Sequence, residues 1–110
     1  MGVTSARTSE LTEGLPPAAL AQFQILQHRF VSGLPARWQE IDHADSNIVL
    51  QSALHRLAGS AGSYGFDSLG QLARRAESLV KSGDTSDLAL VLAALAQQMK
   101  QLQAAESNSF

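Results

Sequence analysis

His55 is the residue whose surroundings in the sequence point most directly to chemistry. In a helix turning about 100° per residue, apolar residues collect roughly 160–260° around from it: Leu50, Ala53, Leu54, Leu57, Ala61 and Tyr64. The side within about 60° of His55 carries mostly small or polar residues: Ile48, Gln51, Ser52, Ala58, Gly59 and Gly62. Gly59 and Gly62 each cost a helix about 1 kcal/mol relative to alanine, and they leave room beside the imidazole. The pattern predicts a histidine that another macromolecule can approach closely.

A carboxylate is predicted to lie beside this histidine. Gly65 and Phe66 mark a tight turn between two helices. His55 precedes Phe66 by the same number of residues as Glu77 follows it. Antiparallel packing therefore puts His55 and Glu77 at about the same height. A carboxylate that accepts the Nδ1 proton would fix the tautomer and leave Nε2 as a bare nucleophile. The alternative is that Glu77 is one more solvated charge on a helix.

The run that begins at His55 resembles the signature of histidine-phosphotransfer (HPt) domains, His-x-Leu-Lys-Gly-Ser-(Ser/Ala) followed by a second glycine. The matching residues, in order, are His55, Leu57, Gly59, Ser60, Ala61, Gly65 and Phe66. The run is also similar to the phosphorylated domain of chemotaxis histidine kinases, which has a glutamate at the separation of Glu77. Ala58 departs from the signature, because most relatives carry lysine there. The resemblance covers roughly residues 46–82.

The resemblance implies a phosphocarrier of two-component phosphorelays rather than an enzyme. His55 would carry a phosphoryl group on Nε2 between the aspartates of receiver domains. The expected partners are the receiver domains of response regulators and of hybrid sensor histidine kinases. Those receivers would supply Mg²⁺, and the chain itself would need no cofactor and no metal site. The supporting residues are Glu77, Arg74, Gly59 and Arg56, and the expected docking face is Ile48, Gln51, Ser52 and Gly62.

Arg74 is the candidate for the positive charge that Ala58 does not provide. By the same symmetry about Phe66, Arg74 is level with Ala58. A guanidinium there could bind two phosphoryl oxygens at once, and Arg56 could contribute a second positive charge. The alternative is that these arginines only make the surface soluble.

The spacing of apolar residues predicts an all-α protein. Amphipathic helices are expected after Pro16, from about Asn47 to Tyr64, after Asp67 and after Asp84. Asp67 is the expected N-cap of its helix, and Gly65 is the expected left-handed stop before it. Helices with such short connections pack as an up-and-down antiparallel four-helix bundle. The HPt resemblance implies the same bundle with an additional N-terminal helix.

The 110 residues are enough for one domain with its own core. Residues 1–15 are expected to form a flexible tail, residues 16–105 the HPt-like helical bundle, and residues 106–110 a frayed C-terminus. Gly33 and Pro35 either end the first helix or kink it, and the sequence leaves both possibilities open. We expect the protein to be a monomer.

Composition and motifs argue against several other functions. A net charge of −2 gives no reason to expect nucleic acid or a membrane as a partner. The absence of cysteine removes thiol chemistry, and the three histidines His28, His43 and His55 have no metal-ligand spacing. No P-loop or kinase motif is present. The N-terminus carries no apolar run long enough for a signal peptide or a membrane span, so we expect a cytoplasmic protein.

Two other functions stay open at the level of sequence. Because Ala58 replaces the usual lysine, the chain could be a helical docking module that never carries phosphate. It could also be an HPt domain excised from a hybrid or chemotaxis-type histidine kinase.

Overall fold

The computed structural model describes residues 11–107. From Pro17 to Ser107 the described part of the chain forms five helices: α1 (Pro17–Ser32), α2 (Leu34–Asp42), α3 (Asn47–Ser63), α4 (Asp67–Ser82) and α5 (Thr85–Ser107). No strand occurs in the described part of the chain, so the predicted all-α fold is confirmed. None of the helices within residues 11–107 has the length and apolar character needed to cross a membrane.

The helices pack as a four-helix bundle with one helix added at its N-terminal end. α4 lies between α3 and α5, and α2 contacts both α3 and α5, which closes the bundle. The additional helix, α1, packs against α5 and leads into α2. His28 of α1 contacts Glu106 near the end of α5, and the Gln27 amide donates a 2.8 Å hydrogen bond to the Tyr64 carbonyl oxygen.

The chain bends between α1 and α2 rather than leaving the helical conformation. Gly33 keeps right-handed helical angles, φ −86° and ψ −3°, and its carbonyl oxygen accepts the Arg37 N–H at 3.2 Å. Pro35 has no N–H to donate to the Val31 carbonyl oxygen one turn earlier, so the regular hydrogen-bond ladder is interrupted there. Beyond this point α2 packs against α3 and α5.

A tight turn joins α3 to α4 where the sequence predicted one. Gly65 has φ 84°, the left-handed conformation expected of a helix stop, and the Phe66 N–H donates to the Ala61 carbonyl oxygen at 2.8 Å. Asp67 was expected to be the N-cap of α4 but is its first helical residue, and Phe66 occupies the cap. The turn is one residue tighter than expected because Phe66 is drawn into the core, where it stacks on Phe30.

The core contains most of the predicted apolar stripe of α3, and Ala58 is buried with it. The buried residues of α3 and α4 are Ala53, Leu54, Leu57, Ala58, Ala61, Leu69, Gly70, Ala73, Ala76 and Val80. Ala58 was expected on the open face of His55, but it is only 3% exposed. α4 covers this side of α3. The two helices are so close that a Cβ built on Gly70 would lie 3.4 Å from the Ala58 carbonyl oxygen. A helical wheel gives the direction of Ala58 and not the neighbour that covers it.

The predicted ends of the domain fall largely outside the described residues. Of the expected tail, residues 1–10 are not described, and Leu11 and Thr12 have helical conformation. Of the expected frayed end, residues 108–110 are not described, and α5 includes Ser107.

The close approach of α3 and α4 can be tested at Gly70. We expect Gly70→Ala to leave stability within about 1 kcal/mol of wild type, because a Cβ just fits and alanine favours the helix. Gly70→Leu should destabilise the fold by about 1–3 kcal/mol, because the longer side chain forces the helices apart. Urea unfolding of both variants measures the difference. Equal stabilities would show that the helices do not approach this closely.

Candidate functional site

His55 lies midway along α3 with its imidazole in solvent, its side chain 77% exposed. Its Nδ1 is 3.3 Å from Oε2 and 3.4 Å from Oε1 of Glu77 in α4. The structure thus brings together the two residues that symmetry about the turn placed at one height. These distances are slightly longer than those of a typical N–H···O hydrogen bond, so the two groups are in close polar contact. Nδ1 therefore faces a carboxylate, while Nε2, on the other side of the ring, is left for chemistry.

Glu77 is held in place and is not a freely solvated charge. Its side chain is only 14% exposed, and Lys81, one turn further along α4, places Nζ 3.4 Å from Oε2. Lys81 was not among the predicted site residues, although its i, i+4 spacing from Glu77 is visible in the sequence. The carboxylate is therefore positioned between a lysine and the imidazole.

The two arginines predicted to support His55 point in different directions. Arg56 faces α2, where its Nη2 lies 2.9 Å from Oε2 of Glu40, so a carboxylate already compensates its charge. Arg74 is exposed on α4, and its Nη2 lies 3.7 Å from the position of a Cβ on Gly62. Side chains on a helix lean towards its N-terminus. The Arg74 side chain, whose backbone lies opposite Ala58, therefore extends towards the α3–α4 turn.

The predicted docking residues share one side of α3 with His55. Ile48 is 80% exposed, and Ser52 is also exposed, whereas Gln51 and Gly62 are half-buried. Gly59 lies one turn beyond His55, and no atom lies within 4 Å of a Cβ built on it. The imidazole is therefore flanked by an exposed apolar side chain on one side and open backbone on the other.

Arg37 also lies beside the site, and the sequence interpretation did not include it. This α2 residue donates a hydrogen bond from Nη2 to the Ser60 hydroxyl at 3.4 Å, and its guanidinium lies 5.4 Å from the centroid of the Phe30 ring. A depression in the surface connects Arg37 to His55 along α3. No local sequence signal could have revealed Arg37, because its position depends on the bend at Gly33.

The other two histidines lie away from this site. His28 contacts Glu106, and His43 at the end of α2 lies 4.0 Å from a carboxylate oxygen of Asp42. Within residues 11–107 no three histidine, aspartate or glutamate side chains come together in a way that could hold a metal ion.

The contact between Nδ1 and Glu77 predicts which tautomer His55 adopts. We expect neutral His55 to carry its proton on Nδ1, because that proton can be donated to Glu77. Glu77→Ala should shift the population towards the Nε2–H tautomer. Long-range ¹H–¹⁵N correlation spectra of the imidazole distinguish the two forms, and exposed His43 serves as the internal reference. An unchanged tautomer in the variant would mean that Glu77 does not orient the ring.

Comparison with known families agrees with this arrangement. The chain matches the family model described as Hpt domain over residues 26–105, a segment that begins within α1, contains His55 and Glu77, and ends in α5. No curated protein and no solved structure matches the chain significantly. Hpt domains are phosphocarriers in two-component signalling and interact with receiver domains. Because the match covers most of the chain, this protein belongs to the Hpt domain family of two-component phosphorelays.

Proposed function

We propose that this protein relays a phosphoryl group between receiver-domain aspartates through a phosphohistidine on His55. The observation that carries the proposal is the orientation of the imidazole. Nδ1 faces the Glu77 carboxylate at 3.3 Å, while the side chain is 77% exposed, which leaves Nε2 accessible to a partner. A histidine that only stabilised the fold would need no such exposure.

The proposed chemistry requires little of the chain beyond an oriented nucleophile. The Nε2 lone pair attacks the phosphorus of an aspartyl phosphate, the N–P bond forms, and the aspartate oxygen leaves with its electron pair as a carboxylate. The Nδ1 proton stays in place, so the phosphorylated ring carries a positive charge that Glu77 stabilises. Attack by the carboxylate of a second receiver reverses these steps and restores the neutral ring.

The receiver would supply what this transfer needs in addition. Its Mg²⁺ and its own positive charges would stabilise the phosphoryl oxygens while the group moves. From this chain, Arg74 would add positive charge from the α4 side, and Arg56 would contribute less because Glu40 compensates it. Neither arginine is required to move a proton.

The receiver would dock on the side of α3 that bears His55. Exposed Ile48 offers apolar contact area below the histidine, and Gly59 leaves the backbone accessible above it, with Arg74 lying beside Gly62. Gln51 and Ser52 supply polar contacts at the edge of the same surface. A receiver seated there would bring its aspartate to Nε2 without displacing Glu77.

Phosphorylation should depend on His55 alone. We expect His55→Gln to take up no label from a panel of phosphorylated receivers, and to fold with stability within about 0.5 kcal/mol of wild type because the side chain is exposed. His43→Gln, a matched change at another exposed histidine, should be labelled like wild type. Acid-labile label on the protein is the measurement.

Two results of this experiment would contradict the proposal. Label retained by His55→Gln would place the phosphoryl group on another residue. A wild-type protein that binds receivers but takes label from none of them would be a docking module that carries no phosphate.

The docking side of α3 can be tested by adding a side chain to it. Gly59→Gln should fold, because space around the new Cβ is open and glutamine favours the helix. It should nevertheless slow transfer from a receiver at least tenfold, because the added side chain stands where the receiver would approach. Ala93→Gln on the outer side of α5 should leave the rate unchanged. Equal rates for both variants would show that the receiver docks elsewhere.

A further inference from the structure

Arg37 reaches the surroundings of His55 from the opposite side to Glu77. A shallow depression of about 470 Å³ runs along α3 from His55 to Arg37, with Gly59, Ser60 and Ser63 among its walls. Arg37 comes from α2, and its guanidinium lies against Ser60. The two sides of the imidazole are thus different: a carboxylate lies on the α4 side and a guanidinium on the α2 side.

The contacts of Arg37 leave most of its hydrogen-bonding capacity unused. A guanidinium has five N–H donors, and the hydrogen bond from Arg37 to Ser60 is long, at 3.4 Å. Neighbouring Arg56, by contrast, is paired with Glu40 at 2.9 Å. Arg37 is half-buried, and its guanidinium lies 5.4 Å from the centroid of the Phe30 ring, which holds the residue near the depression without neutralising it.

Several charged side chains around His55 have a partner of opposite charge, and Arg37 is an exception. Glu77 is paired with Lys81, and Glu40 is paired with Arg56. In the described part of the chain, Arg37 has a hydroxyl and an aromatic ring as its contacts and no carboxylate. Its positive charge therefore remains available to an anion that enters the depression.

The direction of Nε2 indicates that this anion is a phosphoryl group on His55. Because Nδ1 faces Glu77 on α4, a phosphoryl group on Nε2 would lie on the side of the ring away from Glu77. Ser60 is five residues beyond His55, which is roughly 7.5 Å along the helix axis and about 140° around it. The guanidinium would therefore leave Ser60 and turn along the depression to reach the phosphoryl group.

We propose that Arg37 binds the phosphoryl oxygens of phosphorylated His55 from the α2 side, and that Ser60 holds the guanidinium when no phosphoryl group is present. This inference rests on the proposed function of His55. It assigns to α2 the positive charge that relatives place on the histidine's own helix, where this chain has the buried Ala58. An arginine in this role can bind two phosphoryl oxygens at once.

The test uses phosphoramidate, a small donor that phosphorylates histidine without any receiver. The N–P bond to Nε2 forms as the donor's P–N bond breaks and ammonia leaves, so no partner contact contributes to the rate. Arg37→Met, which keeps a long unbranched side chain and removes the charge, should be phosphorylated about tenfold more slowly. Arg37→Lys should recover part of the loss. Arg29→Met, the matched change on the exposed side of α1, should react like wild type.

A second measurement separates phosphoryl binding from a structural role. In ¹H–¹⁵N spectra of the wild-type protein, the Arg37 Nε–H signal should move when His55 is phosphorylated, and the Arg29 signal should not. A mere packing residue would show no such change. Thermal unfolding of Arg37→Met confirms that the variant is folded before its rate is interpreted.

The results that overturn this inference differ from those that overturn the function. If Arg37→Met slows transfer from receivers but reacts normally with phosphoramidate, Arg37 contacts the partner and not the phosphoryl group. If neither rate changes and the Arg37 signal stays in place, Arg37 has no part in the site, although His55 is still phosphorylated. If wild-type His55 accepts no phosphoryl group from phosphoramidate or from any receiver, the proposed function itself is wrong.

Discussion

The packing of α3 against α4 is the constraint on which the rest of the site depends. At Gly70 the two backbones come close enough that a Cβ would lie 3.4 Å from the Ala58 carbonyl oxygen. The left-handed Gly65, at φ 84°, fixes how far one helix is displaced along the other. In that register Glu77 reaches Nδ1 of His55. A slip of one residue would move Glu77 by about 1.5 Å along its helix and rotate it by about 100°, which would separate the pair.

Local signals in the sequence were sufficient to predict this half of the protein. Apolar residues at helical spacing marked α3 and α4, and a glycine marked the turn between them. Once a short turn joins two antiparallel helices, equal distances from it correspond to equal heights. The juxtaposition of His55 and Glu77 therefore followed from counting residues. The N-cap of α4 was misplaced by one residue because the packing of Phe66 into the core, a tertiary effect, decides it.

The α2 side of the site could not be predicted, because it depends on contacts between elements that no local pattern determines. Gly33 and Pro35 allowed either a stop or a bend, and only the folded chain shows α2 lying against α3. The position of Arg37 beside Ser60 follows from that bend. Ala58 shows the same limit, because the sequence gives its angle on the helix, whereas its burial depends on α4.

One oxygen of Glu77 contacts two donor nitrogens, since Oε2 lies 3.3 Å from Nδ1 of His55 and 3.4 Å from Nζ of Lys81. In the proposed relay, the ring becomes positive when it receives the phosphoryl group, and it then faces a carboxylate that Lys81 has already partly neutralised. Lys81 thereby limits how far Glu77 can lower the free energy of the phosphorylated state. A less stabilised phosphohistidine would pass its phosphoryl group to a receiver more readily.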